Sequence, residues 1–127
     1  MVVQIDIDGT INWAPVFFAW MTRVFQREGH RVLIVTTLED VPGERELTEE
    51  ELRGWEITYD KLILSPPLGD LDSRRFPPGL HPSHKLYVYK LFVAQDHGTD
   101  ILFDDCGITA DLFRKHLPQV KVFRPLR

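Results

Sequence analysis

The sequence predicts an α/β fold: an open, parallel, Rossmann-like sheet of about five strands with helices on both faces. Three observations carry that prediction. Short apolar runs alternate along the chain with segments of helical periodicity, the order that builds parallel strands joined by crossover helices. The second of these runs is continuously apolar, as a strand buried on both faces requires. The carboxyl ends of the runs carry acidic and hydroxyl residues, which is where ligands bind in sheets of this kind.

The elements follow in order. Val2 to Ile7 is a short β-branched run closed by Gly9, and it ends in two aspartates, Asp6 and Asp8, within the stretch QIDIDGT. Asn12 and Pro15 open a helix in which Phe17, Trp20 or Met21, and Val24 recur at helical spacing until Gly29. Arg31 to Thr36 is the second strand. Thr48 and Glu51 have capping-box spacing, which predicts a short helix from Thr48 with Leu52 and Trp55 on its apolar side and Gly54 weakening it. Lys61 to Leu64 is the third strand. Prolines and glycines then punctuate a long loop from Pro66 to Pro82, with Arg74 and Arg75 in its middle. Ser83 caps a helix running to about His97 and closed by Gly98. Ile101 to Asp104 is the fourth strand, Thr109 starts a last helix that Pro118 stops, and Val120 to Phe123 is the fifth strand.

A chain of 127 residues with 43% apolar content makes one domain, residues 1–127, with a core of its own. The net charge of −4, from 15 Lys and Arg against 19 Asp and Glu, gives no global field that draws in nucleic acid or an anionic membrane. Any nucleic-acid substrate has to be gripped locally. A single cysteine, Cys106, makes no internal disulfide, and no Cys/His spacing of the zinc kind occurs, which fits a reducing, cytoplasmic compartment. The aspartates come too early for a signal peptide, and no apolar run approaches the roughly 18 residues of a membrane span, so no membrane partner is expected. Oligomeric state is left open by the sequence.

Carboxylates at the end of a buried strand raise the central question, because desolvating them is costly unless a cation or a donor compensates. DIDGT at the end of the first strand, Thr36 at the end of the second, a lysine near a helix start and the Asp104-Asp105 pair ending a later strand resemble the motifs of the haloacid dehalogenase superfamily, in the same order and from end to end of the chain. That resemblance implies phosphomonoester hydrolysis, among the slowest of uncatalysed reactions. Asp6 would be the nucleophile, forming an aspartyl-phosphate that water then cleaves. Asp8 would act as general acid and then general base, a role that requires partial burial and neighbouring carboxylates to lift it above the ordinary Asp value of about 3.9. Three carboxylates beside a phosphate would repel it, so Mg²⁺ is implied, held by Asp6, the backbone carbonyl of Asp8, and Asp104, with Asp105 at or just beyond the ion. Thr36 would hydrogen-bond a phosphoryl oxygen, with Thr37 beside it and the Gly9-Thr10 turn adding backbone donors. Of two candidate lysines, Lys85 in the first helical turn is favoured over Lys90. Arg74 and Arg75 are candidates for steering a phosphorylated substrate into the mouth.

Other readings weigh less. Receiver domains of signalling systems share the length and an acidic pair, but their phosphorylated aspartate ends the third strand, and here that strand ends in Leu64-Ser65-Pro66. A non-catalytic, phosphate-binding relative is the main alternative, and loss of Asp6 or Asp8 would be its mark. Mutases need a cap that excludes water, and neither the stretch from Asp8 to Thr36 nor that from Thr36 to Lys85 has room for one. The chain therefore resembles a capless member, whose open mouth admits a sugar phosphate, a nucleotide or a phosphorylated polynucleotide end. His81 and His84 read as exposed loop residues rather than metal ligands, and Cys106 as a packing residue.

Overall fold

The computed structural model describes residues 1–125. Five strands, β1 (Val2–Ile5), β2 (Arg31–Glu39), β3 (Lys61–Ser65), β4 (Ile101–Phe103) and β5 (Lys121–Phe123), form one parallel sheet in the order β3-β2-β1-β4-β5. Four helices connect them: α1 (Pro15–Arg27), α2 (Glu44–Gly54), α3 (Lys85–His97) and α4 (Gly107–His116). The architecture is the α/β, Rossmann-like one that the alternation of elements predicts. From β1 the chain steps outward through β2 to β3, then α3 carries it back across the sheet to β4 on the other side of β1. The winding reverses between β1 and β4, and at such a point the helices part and leave a crevice above the strand ends.

Side-chain alternation along the strands decides what each face buries. Val3 and Ile5 of β1 and Val32 and Ile34 of β2 pack against Phe18, Ala19 and Met21 of α1 and Leu52 of α2. On the opposite face, Leu33 and Val35 meet Val88, Tyr89 and Phe92 of α3, and Leu102 of β4 meets Leu91 and Ala94 of α3, Phe113 of α4 and Leu117 just beyond it. The helices lie on both faces, as the continuously apolar second run requires. Among the described residues, no helix is long and apolar enough to cross a membrane.

Several boundaries depart from the sequence reading: β1 stops at Ile5 and β4 at Phe103, α3 starts at Lys85 with Ser83 in the turn before it and not capping it, and α4 starts at Gly107. β2 extends past Thr36 to Glu39, with a register shift against β3 between Val35 and Glu39. Helix α2 starts at Glu44 behind Gly43, whose φ of 91° makes the turn, so Thr48 is buried in mid-helix and does not cap it. Arg45 explains the early start: its Nη1 donates to Leu62 O at 2.9 Å, tying the first turn to β3. The long loop contains short helical turns at Leu68–Asp70, Ser73–Arg75 and Pro82–His84 and is packed against α3. There the Phe76 ring stacks on Phe92, with centroids 6.1 Å apart, and the Arg75 guanidinium lies 4.4 Å from the centre of the Phe92 ring.

A buried polar link fixes α3 to the middle of the sheet. Gln4 is fully buried in β1; its Nε2 donates to Lys90 O at 3.3 Å and its Oε1 accepts from Thr99 Oγ1 at 3.0 Å. Replacing Gln4 with Leu leaves the buried Thr99 hydroxyl without its acceptor. We expect a loss of about 1–3 kcal/mol of stability by urea denaturation; an unchanged midpoint would show that the link contributes nothing.

Candidate active site

The side chains of Gln4 and Asp6 point to the α3 face of the sheet, because Val3 and Ile5 take the other. Asp6 follows β1 directly, and its N–H still donates to Phe103 O at 2.9 Å, so β4 holds its backbone in place. Asp104 follows β4 in the same way, its N–H donating to Phe123 O at 3.1 Å. Both carboxylates therefore stand at the carboxyl end of neighbouring strands, where the winding reverses. Lys90 of α3 reaches down between them: Nζ lies 2.8 Å from Asp6 Oδ1 and 2.7 Å from Asp104 Oδ2. Relative exposures of 6%, 2% and 0% for Asp6, Lys90 and Asp104 make this an interior ion triad rather than a surface one.

Further contacts join the first and last acidic motifs. The Thr10 hydroxyl sits 3.5 Å from Asp6 Oδ2 as donor and accepts from the Asp105 N–H at 3.2 Å. Cys106 N–H donates to Asp104 Oδ1 at 2.9 Å, which anchors the start of α4. Between Asp6 and α1 the chain makes a wide turn closed by Asn12 N–H donating to Ile7 O at 3.2 Å. Gly9 occupies that turn at φ 77°, with the Asp105 carboxylate packed where a Cβ would stand, so both the backbone and the space demand glycine. Its N–H donates to Asn12 Oδ1 at 2.7 Å. Arg124, after β5, donates through Nη2 to Asp105 O at 3.1 Å.

The electrostatics follow from crowding. Burial, together with the charges of Asp104 and Asp105, pushes the Asp6 carboxyl up to about 7 against the pull of Lys90. Burial works to discharge Lys90, but Asp6 and Asp104 outweigh it and hold the ammonium above its ordinary value. One lysine charge is shared among carboxylates that outnumber it. Asp6, Asp104 and Asp105 each offer an oxygen, and these all lie within 4.8 Å of one another. An all-carboxylate set with surplus negative charge suits a hard divalent cation such as Mg²⁺.

The residues singled out in the sequence divide into those the fold gathers and those it does not. Asp6, Thr10, Gly9, Asp104 and Asp105 come together as described. Asp8 lies in the same turn but is exposed, without the partial burial expected of it. Thr36 is buried near the end of β2, its Oγ1 accepting from Leu38 N–H at 3.2 Å, and Thr37 beside it is half-buried. The favoured lysine is displaced: Lys85 is exposed, its Nζ 5.9 Å from the centre of the Phe76 ring, and Lys90 is the lysine among the carboxylates. A residue at the first turn of α3 stands above the strand ends, whereas one a turn and a half further along faces the sheet. Neither arginine of the loop reaches the site. Arg74 pairs with Asp72, and Arg75 bonds Gln95 and Asp96 in the last turn of α3. His81 and His84 lie side by side before α3, with His81 Nδ1 2.7 Å from Ser83 Oγ.

No family model matches the sequence, and no curated protein does. Among solved structures the chain is similar to two from the Pnkp1/Rnl/Hen1 RNA repair complex. One is 19% identical with a TM-score of 0.69 over 98% of this chain and 45% of that one; the other is 19% identical with a TM-score of 0.68 over 98% and 42%. The present chain thus spans less than half the length of those it matches, and at this identity the likeness is one of fold.

With Asp6 titrating near 7, a proton and any divalent cation taken up by the cluster would compete for one carboxylate. The raised Asp6 contributes stability below its unfolded value, and that contribution is lost as pH rises through about 7, where the ionised cluster repels itself. Saturating Mg²⁺ should therefore raise the melting temperature more at pH 8 than at pH 6. Equal shifts at the two pH values, read by calorimetry, would rule out this competition.

Proposed function

We propose that the chain is a magnesium-dependent phosphomonoester hydrolase of the haloacid dehalogenase type, acting through an aspartyl-phosphate on Asp6. The observation that carries this reading is the placement of Asp6 between Lys90 and the Asp104-Asp105 pair, at the point where the sheet reverses its winding. A nucleophilic carboxylate needs a fixed orientation and a neutralised surrounding: Lys90 supplies the first and part of the second, and a cation on the surplus acids would complete it.

In the first step an Asp6 oxygen attacks phosphorus, the bond from phosphorus to the ester oxygen breaks, and the departing oxygen takes a proton from Asp8. In the second step water attacks the same phosphorus, gives a proton to Asp8, and the bond to Asp6 breaks to release phosphate. Lys90 holds Asp6 in place and offsets charge on the phosphoryl oxygens. Thr36 and Thr37 are the candidates for a hydrogen bond to one of those oxygens. Magnesium, held by Asp6, Asp104, Asp105 and the Asp8 carbonyl, would neutralise the cluster and the incoming phosphate. The exposure of Asp8 fits an open mouth, in which the substrate itself covers the acid. Sugar phosphates, nucleotides and polynucleotide ends all fit such a mouth. The fold shared with chains of an RNA repair complex supports the last of these.

Phosphate release from an aryl phosphate and from phosphorylated oligonucleotides, with and without Mg²⁺, tests the reading. Magnesium-dependent release that disappears in Asp6→Asn and falls roughly 10²- to 10⁴-fold in Asp8→Ala is expected. Release that survives in Asp6→Asn would refute it.

The two lysines separate cleanly. Lys90→Met should abolish turnover and, by leaving buried carboxylates without their partner, cost about 3–5 kcal/mol of stability. Lys85→Met should leave both near wild type. Should Lys90→Met fail to fold, Lys90→Gln in saturating Mg²⁺ gives the same comparison; full turnover in either folded variant would contradict the assignment.

A further inference from the structure

Helix α1 carries no Asp or Glu, in a chain that has 19 acidic residues. It also turns large aromatic groups to solvent. Trp13, just before the helix, and Phe17 and Trp20 within it are 50%, 49% and 57% exposed. Phe17 and Trp20, three residues apart, share one side of the helix with their rings 6.3 Å apart, and Trp13 lines one groove with Phe17. Further along the helix, Arg23 and Arg27 are exposed and extend that side with positive charge. A contiguous exposed apolar stripe of this size is unusual on a solvated domain unless something binds it.

The stripe leads to the candidate active site. At its upper end Trp13, Phe17 and Phe18 join Phe103, Phe123 and Arg124 around a groove of about 400 Å³, within the range of clefts that hold small ligands. Phe103 directly precedes Asp104, Trp13 directly follows the turn that holds Gly9, and Arg124 is bonded to Asp105 O. The groove, on the α1 face, and the acid cluster, on the α3 face, meet at the strand ends through Arg124 and its bond to Asp105 O.

We propose that this face of α1 is a track for single-stranded polynucleotide, with the groove receiving the terminal base while the terminal phosphate reaches Asp6. Exposed rings stack successive bases whatever their sequence, and guanidiniums at the far end meet the backbone phosphates. The 13 residues of α1 span about 20 Å, the reach of a few nucleotides. Trp20, exposed beyond the groove, and the arginines that follow it favour a strand over a free nucleotide, which would use the groove alone. A net-acidic chain needs a local grip of this kind, and the missing acids on α1 provide the charge window for it. The delivery of a phosphate to Asp6 rests on the hydrolase reading; the grip on the strand does not.

Fluorescence anisotropy with labelled, unphosphorylated single strands of graded length, in EDTA and at several salt concentrations, reads the track without hydrolysis. Affinity should rise with length over the first few nucleotides and then level off. Phe17→Ala and Trp20→Ala should each weaken binding about tenfold, and Arg23→Glu with Arg27→Glu should flatten the salt dependence. Both aromatic residues are exposed, and thermal melting will confirm that their variants fold. Length-independent binding, variants that bind like wild type, or a dimer that Trp20→Ala dissociates would each overturn the proposal, the last by showing that a second copy covers the stripe. Strand binding through α1 with no phosphate release from any ester would sink the hydrolase reading alone. Release from an aryl phosphate without strand binding would sink the track alone.

Discussion

An ammonium that water barely reaches is held between two carboxylates, and both the sheet and the site are organised around that contact. Lys90 would be expensive to bury by itself, as would Asp6 and Asp104. Each is tolerable only because the other two are within hydrogen-bond distance. The three residues come from just past β1, from α3 and from just past β4, so the same contact that offsets charge also sets where α3 lies over the sheet. Gln4 repeats the arrangement one pleat below, using amide and hydroxyl groups instead of charges. A hydrophobic residue at position 90 would satisfy the packing more simply. The retained charge is accounted for by the acids, which remain in surplus after Lys90 is counted.

The fold was largely legible because each strand is a short apolar run and each run ends in a different kind of residue. Asp6 and Asp104 could be placed at strand ends from the sequence, and so at one edge of the sheet. The lysine could not be placed in the same way. Lys85 has the position of a helix start, but Lys90 sits alone in the apolar stretch LYVYKLFVA. A lone charge in a helix that is apolar all round is the mark of a buried one, and that signal outweighs nearness to the first turn. Arg74 and Arg75 were misleading for a different reason. Loop residues carry little positional information until their packing is known, and Phe76 stacking on Phe92 draws this loop alongside α3, against the core that α3 shares with β2. The start of α2 was hidden because Arg45 reaches across to a β3 carbonyl, a tertiary bond that local capping rules do not see.

Three segments rim the crevice at the strand ends. On one side the Pro66–Pro82 loop is fastened along α3 by Arg75 and Phe76; on the other lie the aromatic residues of α1 and the ends of β4 and β5. Between them the turn from Ile7 to Ile11 is kept open by two contacts, Asn12 on the Gly9 amide and Asp105 on the Gly9 Cα. The hydrogen bond to Asn12 occupies a donor that a phosphoryl oxygen could otherwise take. Any ligand using it must outbid a side chain already 2.7 Å away.

The contact between Asp6 and Lys90 also spans 84 residues of chain. Closing it requires that β1, β2 and β3 be laid down and that α3 then cross back over all of them. Contacts of that separation come late, because the intervening loop entropy must be overcome before they are rewarded. A chain that has assembled only β1, α1 and β2 holds Asp6 with no counter-charge and without Asp104 near it. The carboxylate cluster is therefore a property of the long-range topology, assembled only once α3 has carried the chain across to β4 rather than with the first strand.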